Sequence, residues 1–225
     1  MTAPQPFESA ALQSPARTAR LWTEFLALFL GVPVLMLFTA GQFPLFPVLA
    51  MLLALSLFLL ARTPGFRWRE LLEGDLRGWI VFAAVYALIT LVTTTILVLW
   101  LVPGSFLGFA THATKRWLMV MVLYPFVSAL PQEIIFRTLF FRRYGALFPT
   151  PALLIGANGL AFGIGHLFYQ NPVAIGLTTF SGFVIGYAYW RSGSLMLAFV
   201  LHAIGGMTIF TIGLGRFFYH GAIPS

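Results

Sequence analysis

Glu133, His166 and His202 are three titratable side chains set in three separate apolar stretches of this sequence. A charged side chain at the centre of a bilayer costs about 2.5–3.5 kcal/mol on insertion scales, so ionisable groups in such segments are rare and mark candidate functional sites. A carboxylate and two imidazoles can take up and return protons, and can face a developing negative charge. Arg137 follows Glu133 by four residues, a spacing that puts both side chains on one helix face and lets them pair. Glu133 with Arg137 reads equally well as an ion pair that locks helices together. A lone histidine in a span reads more readily as a packing group. One acid and two histidines on three spans together favour a shared site.

The neighbours of these residues shape what they can do. Pro125 and Pro131 each remove a backbone donor, leaving the carbonyls of Met121 and Val127 without helical partners. A bend is therefore expected beside Gln132 and Glu133, and irregular backbone survives in a membrane only where protein or water receives it. In GANGLAFGIGH, Asn158, Phe162 and His166 recur every four residues along one slowly drifting face. Asn158 reads first as an interhelical hydrogen-bonding group. Gly159 and Gly163 form a small-xxx-small face that admits close approach of another helix. In LHAIGG, His202 and Gly206 are four apart.

The elements that hold these groups are membrane helices. Of the 225 residues, 60% are hydrophobic and 8% are charged, against about 25% charged in soluble domains. Too few charges are present to build a water-facing surface. The mean hydropathy is +0.92. Seven apolar runs can be drawn, roughly 21–40, 43–61, 78–102, 117–141, 151–168, 173–190 and 194–213. The expected fold is all-α, a polytopic transmembrane bundle of about seven spans, with six to eight as the range. It reads as one integral membrane domain over 1–225. Residues 1–20 form a polar N-terminal segment leading into an uncleaved anchor, and 117–213 carry the motifs. The 62–77 loop reads as a short amphipathic interfacial helix, and the tail after 213 as an interfacial segment or partial helix.

Net charge is +7, but the basic residues fall between apolar runs. Membrane orientation explains them, and no nucleic-acid partner is expected. Ten of them lie on the side of the N-terminus and three on the other. The positive-inside rule then puts the N-terminus in the cytoplasm and the C-terminus outside. The absence of cysteine removes disulfides, thiol catalysis and thiolate metal sites.

The set QEIIFR, FGIGH and HAIGG, in that order on successive late spans, resembles the CPBP family of CAAX-type prenyl endopeptidases and their bacterial relatives. The family pattern is two adjacent glutamates, three residues and an arginine; then Phe, three residues and His; then His, three residues and Asn or Asp. Glu133 and Arg137 match the first motif, Phe162 and His166 the second, and His202 the third. Two positions depart. Gln132 stands where the family has its first glutamate, the base assigned to water activation, and Gly206 where Asn or Asp helps a histidine hold the oxyanion. The resemblance implies an intramembrane endopeptidase in a bacterial inner membrane, with the bilayer and a membrane-associated peptide or protein substrate as partners. In it Glu133, His166 and His202 are catalytic, with Gln132, Arg137, Phe162 and Asn158 in support. Glu133 and His166 would orient and deprotonate water, and His202 would donate to the oxyanion.

No cofactor is expected. Zinc held by Glu133, His166 and His202 is the metal alternative, but the chain lacks HExxH. A second reading, carried by Gln132 and Gly206, is a catalytically weak relative that binds a membrane peptide or partner, as an immunity or scaffold protein does. A third pairs Ser181 of TTFSG with His202, as in rhomboid-type proteases. A transporter is disfavoured because the sequence shows no paired broken-helix halves.

Overall fold

The computed structural model describes residues 14–39, 44–74 and 76–218. Residues 1–13, most of the expected polar N-terminal segment, and 219–225, the end of the tail, lie outside the described residues. The described residues form seven apolar helices: α1 (Pro15–Phe38), α2 (Leu45–Ala61), α3 (Arg77–Leu101), α4 (Thr114–Leu147), α5 (Pro151–Tyr169), α6 (Pro172–Ser192) and α7 (Leu195–Ile212). Six of these are long and apolar enough to cross a membrane, and α2 is the shorter one at 17 residues. No strand occurs among the described residues. The expected all-α polytopic bundle is therefore the observed fold.

The helix starts follow from local chemistry. Ser14, Thr150 and Asn171 each precede a proline at the first helical position. Their side-chain oxygens accept from the backbone N–H of Arg17, Leu153 and Ala174, which are otherwise unpaired donors at a helix start. Proline fits the first position because its missing N–H would be unpaired there anyway. Ser194 caps α7 in the same way through Leu197 N–H. α6 ends at Gly193, in the left-handed conformation (φ 65°) that glycine adopts without steric cost. That tight turn sends α7 back beside α6.

Residues 15–20 of the polar N-terminal segment lie in the first turns of α1, because Ser14 and Pro15 start the helix there. One expectation about local structure is corrected. The 62–77 loop is not one amphipathic helix. It contains two short 3-10 turns, Trp68–Leu71 and Arg77–Trp79. Pro64 interrupts the loop, and Gly65 and Gly74 take left-handed φ of 74° and 123°, which no α-helix tolerates.

Packing divides the surface as a membrane requires. Phe38, Val81 and Trp100 stand mostly exposed on the outside of the bundle, while the core gathers around α4. Phe25, Phe29, Phe140, Tyr144 and Phe148 interlock there, mostly edge to face, the arrangement that aromatic quadrupoles favour. Next to it, Arg143 Nη2 lies 2.8 Å from Glu24 Oε2 of α1, and Nη1 donates to the Leu59 carbonyl of α2 at 3.3 Å. Arg142 Nε lies 3.0 Å from Glu70 Oε2 of the 62–77 loop. Two arginines at the end of α4 thus tie α1, α2 and the loop to the helix that carries Glu133.

α5 and α6 pack closely against each other. A Cβ on Gly159 would overlap the Phe183 ring, one on Gly163 the Thr179 side chain, and one on Gly182 would come within 2.9 Å of the Gly159 carbonyl. The small-residue face expected on the fifth span is used against α6.

Candidate active site

The bend expected near Pro125 and Pro131 takes the form of two widened turns. α4 passes from α-helix into π-helix at Pro125–Ala129 and again at Ile134–Leu139, with one α turn, Leu130–Glu133, between them. The Leu130 N–H reaches back to the Pro125 carbonyl, a five-residue bond in place of the four-residue one. Extra residues inserted in this way shift the faces of a helix, and such bulges recur at functional sites. Here Gln132 and Glu133, adjacent in sequence, meet different surroundings.

Glu133 is fully buried. Its Oε2 lies 3.0 Å from Arg137 Nε, and its Oε1 accepts from His202 Nδ1 at 2.7 Å. Arg137 is equally buried and extends the chain of contacts. It donates through Nη1 to Asn158 Oδ1, and its guanidinium lies over the Phe162 ring, 4.9 Å from the centroid. Asn158 Nδ2 then donates to the Phe136 carbonyl at 2.6 Å. Gly186 of α6 leaves the space in which Asn158 Oδ1 sits. One carboxylate, one guanidinium, one amide and one imidazole from α4, α5 and α7 so form a single buried network. Removing one member leaves another charge without its partner, and in such networks that costs about 3–5 kcal/mol.

His166 lies where α5 passes from α-helix to a final 3-10 turn, not in the middle of the span. Its Nδ1 bonds the Phe162 carbonyl at 2.7 Å. A carbonyl only accepts, so Nδ1 carries the proton and Nε2 keeps its lone pair in the neutral ring. Phe162 stands between the two imidazoles, its centroid 4.8 Å from that of His166 and 5.3 Å from that of His202. Phe162 is thus a shared wall for both.

His166, His202, Phe162 and Gln132 all line one cavity of about 180 Å³ between α3, α4, α5, α6 and α7. Glu133, Arg137 and Asn158 do not line it; Glu133 reaches it through His202. Of the seven residues singled out in the sequence, four border the cavity and three form the buried support behind it. Gln132 donates to Ser128 Oγ at 2.9 Å. Ser181 also borders the cavity and accepts from Tyr86 at 3.3 Å, but no hydrogen bond joins it to His202. Among the described residues, no three or more of His, Cys, Asp and Glu group as metal ligands.

Sequence reasoning missed three phenols on the cavity wall, Tyr86, Tyr124 and Tyr169. The signal for Tyr86 and Tyr124 is the pair Gly205–Gly206. A Cβ on Gly205 would meet the Tyr86 hydroxyl at 2.9 Å, and one on Gly206 would overlap the Tyr124 phenol. Reading that signal requires knowing which helices face α7.

The fold and site define a polytopic helical membrane protein with a histidine-bearing cavity backed by a buried Glu–Arg pair. Residues 114–207 match the family model described as type II CAAX prenyl endopeptidase Rce1-like. The match opens at the first residue of α4 and closes one residue beyond Gly206, so it takes in all three motifs, and the family resemblance drawn from them is shown over this stretch. No curated protein and no solved structure gives a significant match to the chain.

Proposed function

We propose that this protein is an intramembrane endopeptidase of the CAAX-protease type, hydrolysing a peptide bond of a membrane-associated substrate with water activated in the α3–α7 cavity. The observation that carries this reading is the pairing of Glu133 with His202 on the wall of the cavity that His166 shares. The family match supports the reaction class.

The roles follow from which atoms are free. His166 Nε2 has no protein partner among the described residues and holds a lone pair, so it takes a proton from water as the oxygen attacks the carbonyl carbon. His202, held at Nδ1 by Glu133, donates to the oxyanion that forms. Glu133 acts through His202, since both its oxygens are engaged inside the protein. On collapse the C–N bond breaks, and the proton on His166 passes to the leaving nitrogen. Gln132 orients water or the substrate amide from the adjoining wall. Arg137, Asn158 and Phe162 hold Glu133 and the two rings in position.

The test is cleavage of a membrane-tethered peptide library by purified protein in liposomes. Cleavage is expected to fall about 100-fold or more in His166→Ala and in Glu133→Gln; undiminished activity in Glu133→Gln sinks the assignment.

One observation favours a second reading, a family member that binds a membrane peptide without cutting it. Gln132 borders the cavity, and a neutral amide takes no proton from water. The substitution Gln132→Glu separates the two. Appearance of cleavage in a previously inert protein supports the binding reading; little change or a loss supports a site built on His166, His202 and Glu133.

A further inference from the structure

The hydrogen-bond donors around the cavity are largely committed to the protein. Tyr86 donates to Ser181, Gln132 to Ser128, and Thr94 and Thr178 to carbonyls of their own helices. The Tyr124 hydroxyl has no such partner among the described residues, although Tyr124 lines the cavity. The ring is held firmly. It packs edge-on against Phe210, with centroids 5.5 Å apart, and against His202, with centroids 6.1 Å apart. Its phenol occupies the space that a side chain at position 206 would take, one helical turn beyond His202. The widened turn beginning at Pro125 follows directly after it. The phenol is therefore a pre-set donor beside His202, in a mostly apolar space where an unmet polar group is costly.

We propose that Tyr124 donates its phenolic hydrogen to the carbonyl oxygen of the peptide bound in the cavity, and that Gly206 is glycine because the phenol occupies its side-chain space. As a catalytic residue this rests on the endopeptidase reading; as a carbonyl-binding donor it does not. The Tyr124 and His202 rings meet on one wall of the cavity, with centroids 6.1 Å apart, and the bound oxygen accepts from both. In the ground state the carbonyl accepts from the phenol; as water attacks and the oxygen gains charge, both bonds strengthen. No covalent bond to Tyr124 is formed and its proton is not transferred.

The experiment compares wild type with Tyr124→Phe, which keeps the ring contacts and removes only the hydroxyl. The probe is a hydrophobic peptide methyl ketone, carrying 13C at the carbonyl, in protein reconstituted in liposomes. Infrared spectroscopy reads the carbonyl band, and a cleavable peptide gives kcat and KM. A band shifted to lower frequency in wild type but not in Tyr124→Phe, with kcat lowered about 100-fold at nearly constant KM, is the expected result, the size being that of losing one oxyanion donor. Gly206→Ala, which displaces the phenol, should lose the shift as well. If wild type cleaves nothing but the band shift is still lost in Tyr124→Phe, the endopeptidase reading fails and the phenol as carbonyl donor stands. If wild type cleaves while band and kcat are unchanged in Tyr124→Phe, the phenol is excluded and the endopeptidase reading stands. A wild-type band with no shift also overturns the proposal.

Discussion

Glu133 Oε1 accepts a hydrogen bond from His202 Nδ1 at 2.7 Å, joining two residues 69 positions apart in sequence. The bond holds the cavity-lining His202 ring from behind, while the carboxylate itself stays buried. It explains why a fully buried acid can belong to a site that it does not touch. Arg137 neutralises the acid from the other side, and the widened turns of α4 set this buried pair beside a cavity-facing Gln132.

The buried pair gives a stability prediction. Arg137→Met alone leaves the Glu133 carboxylate without a counter-charge and is expected to cost about 3–5 kcal/mol. Glu133→Leu combined with Arg137→Met removes both charges and is expected to recover most of that loss. Denaturant unfolding in detergent micelles checks this. A double variant no more stable than Arg137→Met would mean that the pair is not energetically coupled.

Asn158 links Arg137 to the Phe136 carbonyl. Asn158→Leu removes a hydrogen bond to a charged group and one to the backbone, so a loss of about 2–3 kcal/mol is expected. Gly186→Val should act in the same direction by invading the space of Asn158 Oδ1. The same unfolding measurement reads both; an unchanged midpoint in each would show that the amide does not support the network.

The helix contact between α5 and α6 depends on space. Gly163→Val would drive a side chain into Thr179, and overpacking of this kind costs about 1–3 kcal/mol. Gly156, whose Cβ direction is open, serves as the control, and Gly156→Ala should leave stability nearly unchanged. Equal effects at the two positions would contradict the packing assigned to Gly163.

Metal dependence is tested directly. The proposed reaction uses side chains alone, so cleavage should persist after dialysis against a chelator. Abolition by the chelator and return with added zinc would replace the histidine mechanism with a metal-assisted one.

The sequence made the scaffold legible because lipid imposes it. Long apolar runs, the prolines beside Glu133 and the Gly159–Gly163 face each have a direct physical meaning. His166, His202 and Glu133 stood out because charge in an apolar span is expensive. What stayed hidden depends on rotation about helix axes. The four-residue spacing pairs Glu133 with Arg137, but that this pair is buried while the neighbouring Gln132 borders the cavity depends on how α4 is rotated against the helices around it. Gly206 reads as a missing polar group until Tyr124, from a helix 82 residues earlier, is found in its place. The 62–77 stretch looked helical by its alternating charge and apolar residues, yet two left-handed glycines limit it to short turns.

The most direct test of the central claim is the rate of peptide cleavage in proteoliposomes by wild type, His166→Ala and His202→Ala, each first confirmed as folded by its thermal unfolding. The account predicts measurable cleavage by wild type and a loss of about 100-fold or more in each histidine variant. Wild-type rates in both variants would contradict it.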